Sequence, residues 1–179
     1  HKQRQDYGRE LGKFYKENPA LYEQDFDPDG FEWINHMESE KNMLTFIRKG
    51  KKKEQTLVIV CNFSPLKYEK YQMGVPYPGQ YKEVFNSDDK KFGGTGKGNP
   101  RAKSSKKAEW DERKNSVVIT VAPMAIQIFA FQEAEKGKTG VSKVRTQLEK
   151  KIEKERQEEL KQQEVKLPKE EKKRKKGNK

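Results

Sequence analysis

The chain has 179 residues, a net charge of +12 and only 31% hydrophobic residues. This length favours one domain, and the low apolar content predicts that part of the chain lies outside it. A single cysteine, Cys61, excludes an intramolecular disulfide and suits a reducing compartment, so we expect a cytoplasmic protein. The sequence has no run of about 18 apolar residues, so we expect no membrane-spanning helix.

The first segment predicts a helix over residues 3–16. One face of this helix carries four large side chains, Tyr7, Leu11, Phe14 and Tyr15. Asn18-Pro19 should end the helix, because the residue before a proline is disfavoured in helical conformation. Pro19 can then open a short second turn.

From Glu32 onward the hydrophobic period becomes that of a strand. Six strands are predicted, at residues 43–48, 56–63, 71–75, 81–85, 117–121 and 125–131. The segment 56–63, TLVIVCNF, is almost continuously apolar, which predicts a strand covered on both faces. Short strands separated by Gly, Pro, Asn and Asp turns favour an antiparallel arrangement. We therefore predict a mainly β protein, an antiparallel β-sandwich preceded by one helix. Residues 92–108 are predicted to be a long, mobile polar loop.

The last 47 residues differ in composition from the rest. Residues 133–179 contain 17 Lys or Arg and 10 Glu, a net charge of +7, and no aromatic residue. Such a segment cannot bury enough apolar surface to offset the entropy of ordering. We predict a charged tail, helical around residues 141–160 and of low complexity or disordered at its end. The predicted organisation is therefore a helix and linker turn over residues 1–30, an all-β domain over residues 31–132, and this basic tail.

Two local motifs imitate ligand-binding loops. Residues 25–30, DFDPDG, begin like an EF-hand calcium loop, but His36 occupies the position of the bidentate glutamate. Residues 93–98, GGTGKG, imitate a phosphate-binding loop, but Lys97 is followed by glycine, and no helical pattern follows. We interpret the first as an acidic turn and the second as a flexible loop.

The chain has few of the cysteine and histidine residues from which many catalytic sites are built. A nucleophile–base pair needs Cys or Ser beside His, and a zinc site needs about four ligands. The histidines are His1 and His36, and Cys61 lies in the most apolar strand. We predict no catalytic residue, no metal site and no cofactor.

The charge also raises a nucleic-acid hypothesis, since basic sheets with exposed aromatic residues bind single strands. The Lys/Arg excess is concentrated in the tail, and no RNP-like motif is present. We expect only non-specific binding through phosphates. A basic nucleic-acid-binding module and a stand-alone carbohydrate-binding module remain the alternative functions.

Several blocks, in order, resemble the C-terminal part of glycogen (1,4-α-glucan) branching enzymes. They are NPALYEQDFDPDGFEWI at 18–34, LVIVCNFSP at 57–65, YQMGVPYPGQYKEVFNSD at 71–88 and FGGTGKGN at 92–99. The resemblance implies the last helix of an α-amylase-like catalytic barrel followed by a non-catalytic all-β domain. The basic tail has no counterpart in the family pattern.

The resemblance also implies a function and partners. The whole enzyme would transfer α-1,4-glucan segments to form α-1,6 branches in glycogen biosynthesis. The fragment alone should be inactive, because the paired carboxylates of retaining glycosyl chemistry would lie on the missing barrel. That barrel would pack on Tyr7, Leu11 and Phe14, which we expect to be exposed here. Three aromatic residues are candidate contacts to the α-glucan substrate, Trp33, Tyr77 and Trp110, with core packing favoured for Trp33.

Overall fold

The computed structural model describes residues 2–35 and 39–133. These residues form one α-helix, eight strands and several short 3-10 turns. The helix α1 spans Lys2–Glu17, and the strands are β1 (Phe31–Asn35), β2 (Met43–Lys49), β3 (Thr56–Asn62), β4 (Tyr68–Val75), β5 (Gln80–Asn86), β6 (Lys103–Ser104), β7 (Asn115–Val121) and β8 (Ala125–Gln132). The described part of the chain contains no helix long and apolar enough to cross a membrane.

The strands form two antiparallel sheets. The larger sheet has the order β1-β2-β3-β8-β5-β6, and β4 pairs with β7 in the smaller one. The two hairpins β1–β2 and β2–β3 are local, whereas β8 crosses to lie between β3 and β5. The predicted mainly β, antiparallel architecture is confirmed.

The main core lies between the two sheets. Strand β2 points Met43, Thr45 and Ile47 inward, as expected from the two-residue period of a strand. The smaller sheet contributes two apolar rows to the same core, Tyr71, Met73 and Val75 from β4, and Val117, Ile119 and Val121 from β7. Tyr81 and Phe129 are the largest of its fully buried side chains.

A second apolar cluster covers the other side of the larger sheet, which we call the outer face. Leu57, Ile59 and Cys61 of β3 lie there, beside Phe85 and Ile128. All seven residues of β3 are therefore buried, as its continuous apolar sequence predicts. The helix α1 and the 3-10 turn Pro19–Leu21 pack on this face.

The segment after β5 differs from the mobile loop predicted for residues 92–108. It contains strand β6, which pairs with β5, and it is anchored by Asn99. The Asn99 side chain donates to Glu83 at 2.7 Å and to the Thr120 carbonyl oxygen at 2.8 Å. These long-range bonds fix the loop, and local composition does not reveal them. The predicted basic tail lies outside the described residues, apart from Glu133.

Candidate functional site

Trp110 lies at the start of a tight hairpin turn. Asp111 and Glu112 have φ angles of 49° and 58°, the left-handed conformation that such two-residue turns require. Trp110 pairs with Arg113 across the turn. The Trp110 side chain is 45% exposed. It is thus an exposed indole on a well-defined turn.

The turn is tied to both sheets. The Asp111 carboxylate accepts hydrogen bonds from the Asn35 side chain at 3.0 Å and from the Gly74 backbone N–H at 2.8 Å. Gly74 permits this approach, because a Cβ there would lie 2.3 Å from the Trp110 carbonyl oxygen. Arg113 donates to the carbonyl oxygen of Trp33 at 3.0 Å. These contacts hold the Trp110 backbone in one position.

The carboxylate of Glu32 lies beside this turn, between two basic side chains. Its carboxylate forms ion pairs with Lys49 of β2 and with Arg113. Burial alone would raise the pKa of Glu32, but the hydrogen bond from Lys49 and the charges of Arg113 and Lys49 hold the pKa below its ordinary value. Glu32 therefore stays ionised and links β1, β2 and the turn.

Trp33 points to the outer face, where it packs with other aromatic rings. Its ring lies 5.0 Å from Phe31 and 5.8 Å from Phe46, both in edge-to-face geometry. It is nevertheless 45% exposed. Trp33 therefore both packs and presents surface.

Tyr77 lies elsewhere, in the β4–β5 turn. Its ring packs 5.3 Å from that of Phe131, and the Lys53 ammonium lies 5.0 Å from its centroid. The Tyr81 hydroxyl donates to the Tyr77 carbonyl oxygen at 2.8 Å. Burial raises the pKa of Tyr81, so this hydroxyl remains a donor at every pH relevant to the protein. Tyr77 is half-buried and contributes mainly to packing.

The glycine-rich loop at residues 93–98 binds a carboxylate of the same chain, that of Asp88. Asp88, which is 8% exposed, accepts hydrogen bonds from the Thr95 backbone N–H at 2.8 Å and from the Lys97 N–H at 3.2 Å. The Thr95 hydroxyl also donates to this carboxylate. The loop amides that would meet a phosphate in a phosphate-binding loop thus serve to hold Asp88.

The acidic side chains of residues 25–30 also bind groups of the chain itself. Asp25 pairs with Arg48, and Asp27 accepts a hydrogen bond from the Asp29 backbone N–H at 2.9 Å. Within the described residues no group of three or more His, Cys, Asp or Glu side chains is placed to hold a metal ion. His1 and His36 lie outside those residues. Burial raises the pKa of the Cys61 thiol, which makes it a poor nucleophile.

The helix α1 packs on the β-domain more closely than predicted. Tyr7 lies 5.9 Å from Phe85 and 5.2 Å from Phe92, and Phe14 lies 5.4 Å from Phe85. The exposure expected for Tyr7 and Phe14 is therefore wrong, because both are half-buried against the outer face. Leu11, at 39% exposure, is the one of the three that stays open.

A family model, "Alpha amylase, C-terminal all-beta domain", matches residues 33–132. This match covers more than half of the chain and the strands of both sheets. The chain belongs to the alpha-amylase C-terminal all-beta domain family.

Similar proteins carry one name. The chain is 43% identical over 129 residues to the 1,4-alpha-glucan branching enzyme GlgB of Halothermothrix orenii, a match covering 72% of this chain and 20% of that protein. It is 39% identical over 123 residues to GlgB of Prochlorococcus marinus strain MIT 9515, covering 69% of this chain and 16% of that protein. It is 37% identical over 118 residues to GlgB of Aquifex aeolicus, a match covering 66% of this chain and 19% of that protein. The chain thus spans about a fifth of the length of these curated relatives, and the resemblance to branching enzymes is confirmed.

The structure brings two of the three predicted aromatic residues into one neighbourhood, since Arg113 connects the Trp33 backbone to the Trp110 turn. Exposed apolar residues on the outer face, among them Ile126 at 36% exposure, were not predicted as functional residues from the sequence. The available signal was the near absence of polar positions in β8, AIQIFAFQ, where both alternating rows are largely apolar. That pattern predicts a strand covered on both faces.

Proposed function

We propose that this chain is the non-catalytic C-terminal β-domain of a 1,4-α-glucan branching enzyme, which acts in glycogen biosynthesis. The whole enzyme would move α-1,4-linked glucan segments onto a 6-hydroxyl to form α-1,6 branches. The observation that carries this proposal is the match of residues 33–132 to the all-β domain, together with relatives about 40% identical that are named as branching enzymes.

The chemistry of the site fits a supporting role. Retaining glycosyl transfer needs two free carboxyl groups about 5 Å apart, one as nucleophile and one as acid/base. The carboxylates of Asp88, Glu83 and Asp111 each accept hydrogen bonds from their own domain instead. We assign catalysis to a barrel within the part of the enzyme that the matched segment does not cover.

The proposed partners are that barrel and the glucan. Of the predicted barrel contacts on α1, Leu11 is the best supported, since Tyr7 and Phe14 already pack on Phe85. The basic segment 133–179 would bind nucleic acid only non-specifically, through phosphate contacts weakened by salt. We place the protein in the cytoplasm on the basis of its single cysteine.

Among the three aromatic candidates for glucan contact, Trp110 has the most support. Its indole is 45% exposed, on a turn fixed by Asp111 and Arg113. An exposed indole on a fixed backbone can stack on the apolar face of a glucose unit, and only the two side-chain torsions of the tryptophan then have to be ordered on binding. Trp33 shares part of its surface with Phe31 and Phe46.

A domain exchange tests the proposal. The 129 matched residues of the Halothermothrix orenii enzyme are replaced by the corresponding residues of this chain, and α-1,6 linkages formed in amylose are counted. We expect the chimera to branch amylose and the 179-residue chain alone to be inactive. A chimera carrying a flexible linker of equal length serves as the control. An inactive chimera, or branching by the chain alone, would refute the proposal.

A further inference from the structure

The positive charge of residues 1–132 is concentrated in one segment. Residues 90–107 contain seven Lys or Arg and no Asp or Glu. The rest of residues 1–132 contains 16 Lys or Arg and 18 Asp or Glu, a net charge of −2. This part of the chain therefore owes its net positive charge to the segment 90–107, independently of the basic tail.

Residues 99–107, which we call the strap, run along one edge of the sandwich. On one side the strap contains β6, which pairs with β5, and the Ser105 N–H donates to the Gly79 carbonyl oxygen at 2.8 Å. The Gly79 N–H donates back to the Ser105 hydroxyl at 2.9 Å. On the other side Lys106 and Ser116 exchange backbone hydrogen bonds at 2.9 and 3.0 Å. The strap backbone is thus hydrogen-bonded to both sheets.

The strap carries four basic side chains, and their charge is not neutralised by the described residues. They are Arg101, Lys103, Lys106 and Lys107. Lys103 is half-buried and the other three are exposed. None of the four is paired with an acidic side chain of the described residues, whose ion pairs involve other cations, such as Lys91 and Arg113. Glu109 and Glu112, which follow the strap, are exposed and form no ion pair with it within the same part of the chain.

One end of the strap lies beside Trp110. Ser116 is opposite Gly74 in the β4–β7 register and opposite Lys106 on its other side. The Trp110 carbonyl oxygen lies over Gly74, 2.3 Å from the position that a Cβ would take. The backbones of Lys106 and Trp110 are thus separated by about two strand spacings, on the order of 10 Å. An ammonium group and an exposed indole therefore flank the same patch of the smaller sheet.

We propose that the strap and Trp110 together bind an α-glucan chain that carries phosphate monoesters. The choice of a glucan rests on the proposed function, in which Trp110 stacks on a glucose unit. The strap adds recognition of the phosphate. A phosphate monoester carries a charge of about −1.5 to −2 at neutral pH and three acceptor oxygens, to which Lys and Arg donate charge-assisted hydrogen bonds.

The side chains around Trp110 favour this ligand over a nucleic acid. A single-stranded nucleic acid stacks successive bases on several aromatic rings. In the described strands β4 and β7 the side chains that point away from the core are not aromatic, and they include Gln72, Ser116, Val118 and Thr120. Trp110 therefore offers one stacking surface, which suits a single glucose unit.

The four cations favour a phosphorylated glucan over a neutral one. Lysine and arginine side chains donate hydrogen bonds and accept none, whereas a glucose hydroxyl group both donates and accepts. A neutral glucan would also leave the charge of the strap unpaired. Because the strap backbone is already fixed by both sheets, binding a phosphate requires the ordering of side chains only.

The test compares retention of the 179-residue chain on two affinity gels, one of neutral amylose and one of amylose phosphorylated on part of its 6-hydroxyl groups. Lys106→Gln/Lys107→Gln removes two charges from the strap. Lys13→Gln/Lys16→Gln removes two exposed charges from α1, which packs on the larger sheet, and is the matched control. Both double variants keep the basic tail, so any binding of phosphate by the tail is common to them.

We expect the wild type to be retained about fivefold more strongly on phosphorylated than on neutral amylose. Lys106→Gln/Lys107→Gln should remove most of this excess without changing retention on neutral amylose, whereas Lys13→Gln/Lys16→Gln should change neither. Trp110→Ala should weaken retention on both gels by a similar factor. The thermal midpoint of the strap variant should stay within about 2 °C of the wild type, because Lys106 bonds to Ser116 through its backbone.

Four outcomes would overturn the inference, each in a different way. Equal losses in the two double variants would assign phosphate binding to overall charge. Equal retention of the wild type on the two gels, with both weakened by Trp110→Ala, would exclude the phosphate contact and leave the proposed function standing. Binding of a short oligouridylate that is tighter than binding of phosphorylated amylose, and is lost in the strap variant, would assign the strap to nucleic acid. An inactive chimera in the domain exchange would refute the proposed function and with it the choice of a glucan.

Discussion

Phe85 packs α1 against the β-domain, and replacing it measures how much this packing stabilises the fold. The side chain is 7% exposed and lies 5.4–6.0 Å, between ring centroids, from Tyr7, Phe14 and Phe92. A buried aromatic residue removes about 150–250 Å² from water. At about 25 cal/mol per Å² this burial is worth about 4–6 kcal/mol, and because alanine keeps a small part of it, Phe85→Ala should cost about 3–5 kcal/mol, much of the stability of a small domain.

Phe85→Leu is the more informative change, because it keeps most of the volume and removes the aromatic pairs. We expect it to lower the free energy of unfolding by about 1–2 kcal/mol. Urea unfolding gives this value, and hydrogen exchange of residues 2–17 shows whether α1 loses protection first. The neighbouring Val84 is 39% exposed, so Val84→Ala should cost less than about 0.5 kcal/mol. Equal stability of Phe85→Leu and the wild type, with α1 protection unchanged, would refute the packing described here.

Three further changes test other parts of the structure. Asp88→Ala leaves the Thr95 and Lys97 N–H groups without their acceptor and should lower the free energy of unfolding by about 2–4 kcal/mol, measured in urea, with partial recovery in Asp88→Asn. Because the pKa of Glu32 is lowered by folding, its ionised carboxylate stabilises the fold fully above pH 4.5, the ordinary value, and this stabilisation is lost as the pH falls through the lower pKa of the folded state. The melting temperature of Glu32→Gln should therefore fall less steeply than that of the wild type as the pH is lowered through this range. At pH values below the range the two proteins should lose no further stability relative to each other. Trp110→Ala should weaken retention on an amylose affinity gel at least threefold without changing the thermal midpoint, and unaltered retention would remove Trp110 as a glucan contact.

Alternation along the chain predicted six of the eight strands, and the other two, β1 and β6, were not predicted. TLVIVCN became β3, buried on both faces, and the strands around Tyr71, Val117 and Ile128 formed within two or three residues of the predicted ends. This success has a simple cause, since a two-residue period and proline or glycine turns are local signals. The charged tail beyond Glu133 stays a prediction.

Long-range contacts decided what the sequence did not reveal. The loop after β5 is polar and glycine-rich, yet Asp88 and Asn99 fix it through partners 7–21 residues away. Likewise, Tyr7 and Phe14 present an apolar helical face, and only the fold shows that Phe85 and Phe92 cover it. The position of Trp110 depends on Gly74, a close backbone contact between distant segments that no local pattern records.

Counting α-1,6 linkages in amylose by proton NMR tests the central claim most directly. The claim is that this β-domain supports branching chemistry carried out elsewhere in the same enzyme. It predicts new linkages with the chimera that contains residues of this chain, and none with the linker control or with the 179-residue chain alone. Linkages formed by the chain alone, or equal linkage formation by the linker control and the chimera, would contradict it.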